Sequence, residues 1–321
     1  MDFFRLRTLR ELSRRETMAA VADALGISSS AVSQQIAQLE DEVGIALVER
    51  RGRGVTLTPA GRRLVVHADR IFAVVEEAKT DIAELQNIVA GDLRIAAQPS
   101  AASSFIPAAM RQLANDHPHL GMVMTTMGPA DGVAALRSWQ ADIVVADDIS
   151  FDPHTLQGPF DTLFLCRDQL FVLLPAGHRL ESEPVIELGQ LRDEHWALDV
   201  ASSAYSMAIR QACRDIGFEP VINGFSDSFE VVFALVEAGC SISVMPGLAL
   251  RDFGGSLVVK PLSPAVYRGI HAITRRGEGR NPKIAAVLDQ LVRSAPRGLG
   301  RADMGFWAGL RLPEFERNGG F

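Results

Sequence analysis

Cysteine is scarce in this chain of 321 residues. The three thiols, Cys166, Cys213 and Cys240, form no CxxC pair. An odd, scattered set of this kind excludes a disulfide framework and a structural zinc site, and leaves reduced, mostly buried thiols as the expectation. Long apolar runs are missing too: no stretch of about 18 uninterrupted apolar residues exists to cross a bilayer as a helix. The first residues, MDFFRLRTLRELSRRE, are too charged for a secretory signal, so a cytoplasmic protein is expected. Catalytic signatures are also lacking. There is no GxSxG, GxGxxG, Walker loop or HExxH, and His117-Pro-His119 has no Cys or carboxylate at ligand spacing. The expectation is a protein without metal or cofactor that is not an enzyme.

What is present begins with size and apolar content. The length exceeds that of one ordinary domain, and 47% of the residues are apolar, enough for sizeable cores. The net charge of −7 is unevenly spread. Residues 1–65 hold ten Lys/Arg against eight Asp/Glu, net +2, and the rest of the chain carries −9. A slightly basic head on an acidic body assigns any polyanion contact to the head.

Three helical patterns crowd the first 45 residues. Phe4, Leu6, Leu9 and Leu12 share roughly one face. A second helix, MAAVADAL, follows Thr17 as N-cap and stops at Gly26. A third starts after Ser28 and turns Val32, Ile36, Leu39 and Val43 inward. Only Gly26 and Ile27 separate the last two, and two short helices joined by a Gly-containing turn are a helix-turn-helix signature. Ala20 and Ala24 allow a close crossing. The outward positions near the start of the third helix are Ser29, Ser30, Ser33, Gln34 and Gln35, with Gln38 one turn on. Short serines permit close approach to a groove about 12 Å wide, and Gln matches the donor–acceptor edge of adenine. The alternative is a surface helix solvated by Ser and Gln.

The next segment, VERRGRGVTLTPAG, sets Arg50, Arg51 and Arg53 around Gly52 and Gly54, before a short strand. This is a tight turn tipped with cations. Beside a recognition helix it has the make-up of a wing that meets phosphates and the minor groove; alone, it would be a solvated basic loop. Taken together, Ala19-Ala20, Ala24-Leu25, IxxSAVSQQIxxLExxxG and LxxRxxRGVxLTxAG resemble the DNA-binding domain of the LysR-type transcriptional regulators, without a gap over roughly 50 residues. The resemblance implies that Ser29, Ser30, Ser33 and Gln34 face the major groove and that Arg50 and Arg53 serve the wing. Two positions depart from the family pattern. Position 34, often Arg, is Gln here, which suggests a different base preference. Position 48, often Phe, is Val, a smaller plug for the same core.

Thr58-Pro59 reads as an N-cap followed by Pro at the first helical position. Leu64, Ala68, Ile71, Val75, Ala78, Ile82, Leu85 and Val89 then follow at alternating gaps of four and three, a heptad seam. Such a stripe must be buried, either on its own domain or against a second copy. The unbroken pattern favours self-association through 61–90. The family resemblance implies the same dimer, and beyond it a homotetramer.

From Gly91 onward, strand patterns alternate with helices: GDLRIAA, a helix near 106–115, HLGMVMTTM, a helix near 132–140, ADIVVAD. A second set begins near Leu163, and the chain closes with YRGIHAITRR and PKIAAVLDQLVRSA. This alternation predicts parallel α/β sheets. It resembles the family's effector domain, whose two subdomains look like a bacterial solute-binding protein. The expected fold is thus multidomain α/β: a winged helix-turn-helix over 1–60, a linker helix over 61–90, a periplasmic-binding-protein-like effector domain over 91–295 and a tail over 296–321. Subdomain I is expected at 91–164 plus 267–295, subdomain II at 165–266.

Ligands of open α/β sheets bind at the carboxyl ends of strands. Here those positions are Ser100, Ser103 and Ser104, Gly128 and Pro129, Ser202 and Ser203, Ser226 and Asp227, and Pro246. Each has a plain alternative: Ser103 and Ser104 suit a cap of the next helix, as Ser226-Asp227-Ser228 suits a cap at Phe229. Asp147 and Asp148 at the end of the third strand suggest an amine-bearing or neutral effector rather than a di-acid. The tail, rich in Gly and Arg with isolated aromatics, lies beyond the resemblance and reads as an extension or docking strip.

The expected function is a ligand-responsive regulator that binds promoter DNA and a small-molecule effector, with RNA polymerase a possible partner. The alternatives are an effector-independent architectural protein and a solute-binding protein; the basic head argues against the latter.

Overall fold

The computed structural model describes residues 1–15, 17–51, 54–86, 88–150, 159–201, 203–250 and 257–296, with only the backbone described at 14, 50, 51, 73, 76, 77, 79, 83, 84 and 86. The chain divides into two compact units, Met1–Ile82 and Ala83–Phe321.

The first unit contains α1 (Phe3–Arg15), α2 (Met18–Leu25), α3 (Ser29–Val43), the hairpin β1 (Val48–Arg51) and β2 (Gly54–Leu57), and the start of α4 (Pro59–Gln86). The expected caps are in place. Thr17 Oγ1 accepts from Ala20 N and Ser28 Oγ from Ala31 N. Gly26 and Gly44 end their helices in the left-handed region, at φ 66° and 71°, where a Cβ would be strained. Leu6, Leu9, Leu12, Val21, Val32, Ile36, Leu39 and Leu47 form one buried core.

Glu40 ties α3 to the hairpin, its Oε1 accepting from Leu47 N and Val48 N. Thr58 caps α4 by accepting from Gly61 N while its hydroxyl donates to Ala46 O. Gly61 is required by proximity, since a Cβ there would lie 2.1 Å from Leu47 O. The heptad seam divides in two. Ala68 is fully buried in the head core, and Leu64, Ile71 and Phe72 pack against it. The early part of the stripe therefore packs on its own domain, contrary to the reading of one continuous intermolecular seam. Further along the seam Val75 is half-buried and Ala78, Ile82 and Leu85 are exposed, Leu85 at 88%, with Val74 beside them also exposed.

The second unit has two halves. In one, parallel strands β3 (Gly91–Ala97), β4 (Leu120–Thr126) and β5 (Ile143–Asp147) carry α5 (Pro99–Ser104), α6 (Ile106–Asp116) and α7 (Pro129–Arg137). Helix α5 was not expected from the sequence, and α7 starts three residues before the helix expected near 132–140. The other half contains β7 (Ile186–Glu187), β8 (His195–Leu198), α8 (Ala204–Asp215), β9 (Val221–Phe225), α9 (Phe229–Glu237), β10 (Ser243–Pro246) and β11 (Val258–Ser263), of which β7 and β11 were not foreseen.

One long strand runs between the halves, and a second pairs along its first part. β6 (Phe160–Leu174) pairs antiparallel with β12 (Tyr267–Arg275) as far as Gln169, then with β10 and β11 from Leu170 onward. Helix α10 (Pro282–Ser294) returns to pack with α6 over the first half's core. One core holds Ile95, Phe105, Ile106, Ile143, Ile270 and Leu291, the other Leu170, Leu174, Trp196, Ile209 and Ile242.

Candidate functional site

Helix α3 buries Val32, Ile36 and Leu39, which turns positions 29, 30, 33 and 34 outward, whereas Gln35, expected to face out, is half-buried with its Oε1 buried. Ser29, Ser30, Ser33 and Gln34 are all exposed, and Gln38 is half-buried. Ser30 shares a hydrogen bond with Ser28 at 2.9 Å, within the helix's own first turn. The result is a row of hydroxyl and amide groups on a rigid helix whose apolar face is anchored in the core. Arg50 and Arg51 lie on β1, paired with Val55 and Gly54 of β2, and their side chains are outside the described residues. Arg53 is also outside them.

In the body, strand ends gather the other candidates into two groups. Gln98 N donates to Val145 O and Met127 N to Ala97 O, which sets the ends of β3, β4 and β5 side by side. Ser100, Gly128, Pro129, Asp147 and Asp148 follow from those ends. Ser226 N donates to Leu198 O, aligning the ends of β8 and β9 and with them Ser203, Ser226 and Asp227. Pro246 ends β10 and is buried, and Ser202 lies outside the described residues.

Within the first group sits a buried charge cluster that the sequence reading missed. Arg268, opposite Asp168 in the β12–β6 register, donates from Nε to Asp168 Oδ2 at 2.9 Å and from Nη1 to Asp147 Oδ2 at 2.9 Å. Its Nη2 donates to Ser100 Oγ at 2.6 Å. Leu248 N donates to Asp168 Oδ1, bringing the 3-10 turn Gly247–Ala249 into the same cluster. Burial pushes the Asp168 carboxyl above its ordinary range, against the pull of Arg268. Burial also drives the Tyr205 hydroxyl upward, and that hydroxyl donates to Val244 O. A signal was available: Arg268 and Asp168 are charges flanked by apolar runs within their strands, and burial of such a charge is rare unless it is paired.

The cluster changes several expectations. Ser100 is 1% exposed and its oxygen is engaged by Arg268. Ser103 and Ser104 do not cap the next helix; their hydroxyls donate back to Pro99 O and Ala101 O within α5. Ser203 caps α8 by accepting from Ser206 N. Ser226 accepts from Ser228 N, whereas Ser228, the N-cap of α9, makes no side-chain cap bond. Gly128 is the exposed N-cap of α7, with Pro129 at its first position.

The effector reading drawn from Asp147 and Asp148 loses its basis. Asp147 is neutralised by Arg268, and Asp148 accepts from Gly269 N and pairs with His271 at 3.7 Å. Burial works to raise the Asp148 carboxyl, but the bonds from His271 and Gly269 N outweigh it and hold it below its usual range. Among the described residues no group of three or more His, Cys, Asp or Glu could hold a metal, and no helix is long and apolar enough to cross a membrane.

Two family models cover nearly the whole of this architecture. Residues 3–62 match the bacterial regulatory helix-turn-helix protein of the LysR family, and residues 86–296 match the LysR substrate binding domain. The chain belongs to the LysR family. It is a transcriptional regulator with a helix-turn-helix DNA-binding domain and a substrate-binding effector domain. Among LysR-family relatives, the transcriptional dual regulator GltC of Bacillus subtilis is 25% identical over 275 residues, covering 85% of this chain and 90% of that protein. The RuBisCO operon transcriptional regulator of Allochromatium vinosum is 26% identical over 299 residues, covering 91% and 96%. The fold is that of full-length OxyR from Pseudomonas aeruginosa, with a TM-score of 0.70 at 23% identity over 92% and 96% of the two chains. Full-length CbnR in complex with its target DNA gives 0.53 at 20% identity over 92% and 99%.

Proposed function

We propose that this regulator acts in the cytoplasm as a homodimer, assembling further to a tetramer, and reads a two-part promoter site. Ser29, Ser30, Ser33, Gln34 and Gln38 of α3 are assigned to the major groove, and Arg50, Arg51 and Arg53 to phosphates and the minor groove beside it. The observation that carries this is the exposed polar row on α3, fixed by a core that leaves no apolar alternative for that face. The exposed Val74, Ala78, Ile82 and Leu85 on α4 support dimerisation through the linker helix. The body senses a small molecule between its halves, near Ser103, Ser104, Gly128, Pro129, Ser202, Ser203, Ser226, Asp227 and the buried Ser100 and Pro246. Its role is to bind, not to catalyse.

Because β6 runs from one half into the other, a ligand that binds one relative arrangement of the halves more tightly shifts the population toward it. That shift alters how the assembled bodies hold the DNA-bound heads and how RNA polymerase meets the promoter. Footprinting of the chain's own upstream region tests this. The expected pattern is two protected half-sites whose centres lie about 10 base pairs, or a multiple, apart, with the pattern changed by one metabolite among those screened. A single unspaced site that no metabolite alters would favour the effector-independent architectural protein.

A further inference from the structure

A groove of about 360 Å³ opens between α5, α9 and the turn Gly247–Ala249. Ser103 lines it from α5, Leu248 and Ala249 from the turn. The stripe from α9 is Glu230, Phe233, Ala234 and Glu237. Positions 230 and 237 are two helical turns apart, about 10 Å, with the apolar pair between them. The groove is therefore an apolar floor with a carboxylate at each end. Glu230 accepts from Ser228 Oγ, and neither carboxylate has a basic partner among the described residues. Such a surface fits an occupant that is apolar or aromatic in the middle and cationic at its flanks.

We propose that the occupant is this chain's own C-terminal segment, residues 301–311, which lies outside the described residues. Its sequence, RADMGFWAGLR, places Phe306, Trp307 and Leu310 between Arg301 and Arg311. Residues 297–312 carry three arginines and one aspartate, net +2 against the two glutamates. The exit point agrees. Lys283 Nζ donates to Asp92 O, so α10 begins beside the start of β3. Its 13 residues rise about 20 Å, close to the length of seven-residue β3, at whose far end α5 begins. Ala295, just past α10, is buried in the core that also contains Ala101, Ala102, Phe105 and Leu248. The chain thus leaves α10 at the strand ends where the groove opens. Ten residues from Pro296 to Phe306 reach up to about 33 Å, ample for the span.

The consequence is regulatory. α5 belongs to one half of the body, α9 and the 247–249 turn to the other. A segment seated across them ties the halves in one relative arrangement and sits beside Ser103. It then competes with any ligand that favours a different arrangement.

Hydrogen exchange on the full chain tests the proposal without DNA or effector, so its failure is separable from that of the regulator reading. Three variants are compared with the parent: Phe306→Ala/Trp307→Ala, Arg301→Glu/Arg311→Glu, and the latter combined with Glu230→Arg/Glu237→Arg. Amides of Phe229–Glu237 and Gly247–Ala249 should exchange at least about five-fold faster in the first two, with protection elsewhere retained, and slow again in the charge-swapped variant. The protection should not change on ten-fold dilution. Protection indifferent to both tail variants overturns the proposal. So does protection that disappears on dilution while ignoring them, which would assign the groove to a second copy.

Discussion

The polar side chains on α3 and those at the strand ends of the body differ in what already holds them. Ser33 and Gln34 are exposed on a helix whose other face is locked by Val32, Ile36 and Leu39. Ser100, by contrast, is held by Arg268, Ser103 by Pro99 O, and Ser203 by the start of α8. The head presents preorganised groups that need no rearrangement to meet a partner. In the body most candidate groups serve the fold first, so a ligand must exchange bonds or move the halves to recruit them. That contrast suits the two tasks: a reader of fixed groove geometry gains from rigidity, while a sensor gains from an arrangement that a ligand can shift.

The strongest way to break the comparison is at the charge cluster. Arg268→Ala leaves Asp147 and Asp168 buried without their cation, and the body should lose about 3–5 kcal/mol in urea unfolding. The head's transition should be unaffected. A loss under about 1 kcal/mol would mean that the cluster does not hold the halves' strands together.

Next in size is Gly61→Ala, which drives a Cβ toward Leu47 O and should cost the head about 1–3 kcal/mol, leaving the body's transition in place. Ser28→Ala removes the N-cap of α3 and should cost about 1 kcal/mol, read from the same unfolding curves.

The smallest effect is one of slope. Burial opposes it, but the Arg94 side chain and backbone N–H hold the Asp142 carboxyl below its ordinary range. A depressed carboxylate contributes stability that is present above its unfolded pKa, near 4, and is lost as pH falls through the folded value. Asp142→Asn should therefore flatten the acid limb of the body's stability profile and leave the head's profile unchanged.

The same contrast explains what the sequence made legible. Head features are local. Thr17, Gly26, Ser28 and Gly44 act within one turn of their own positions, so caps and helix limits follow from neighbours in the chain. The linker seam is legible in period, but the share of its early part that the head core covers is not. Periodicity shows that Leu64, Ala68 and Ile71 must be covered, not that Leu9 and Leu39 of the same head share the core that covers them. In the body the strands and helices of the alternating pattern were visible. The partners of Ser100 and Asp147 were not, because Arg268 is 168 and 121 positions away from them. Short β7 and six-residue α5 lack the length that makes a period readable.

The central claim is that the exposed row on α3 reads base sequence while the cationic hairpin holds the backbone. Its most direct test is the affinity of the parent and Gln34→Ala for the chain's own upstream site and for a scrambled duplex, across a salt series. The account predicts a loss of about 1–3 kcal/mol on the upstream site, little change on the scrambled duplex and an unchanged salt slope. Equal losses on both duplexes, accompanied by a shallower salt slope, would place Gln34 among the phosphate contacts and contradict the account.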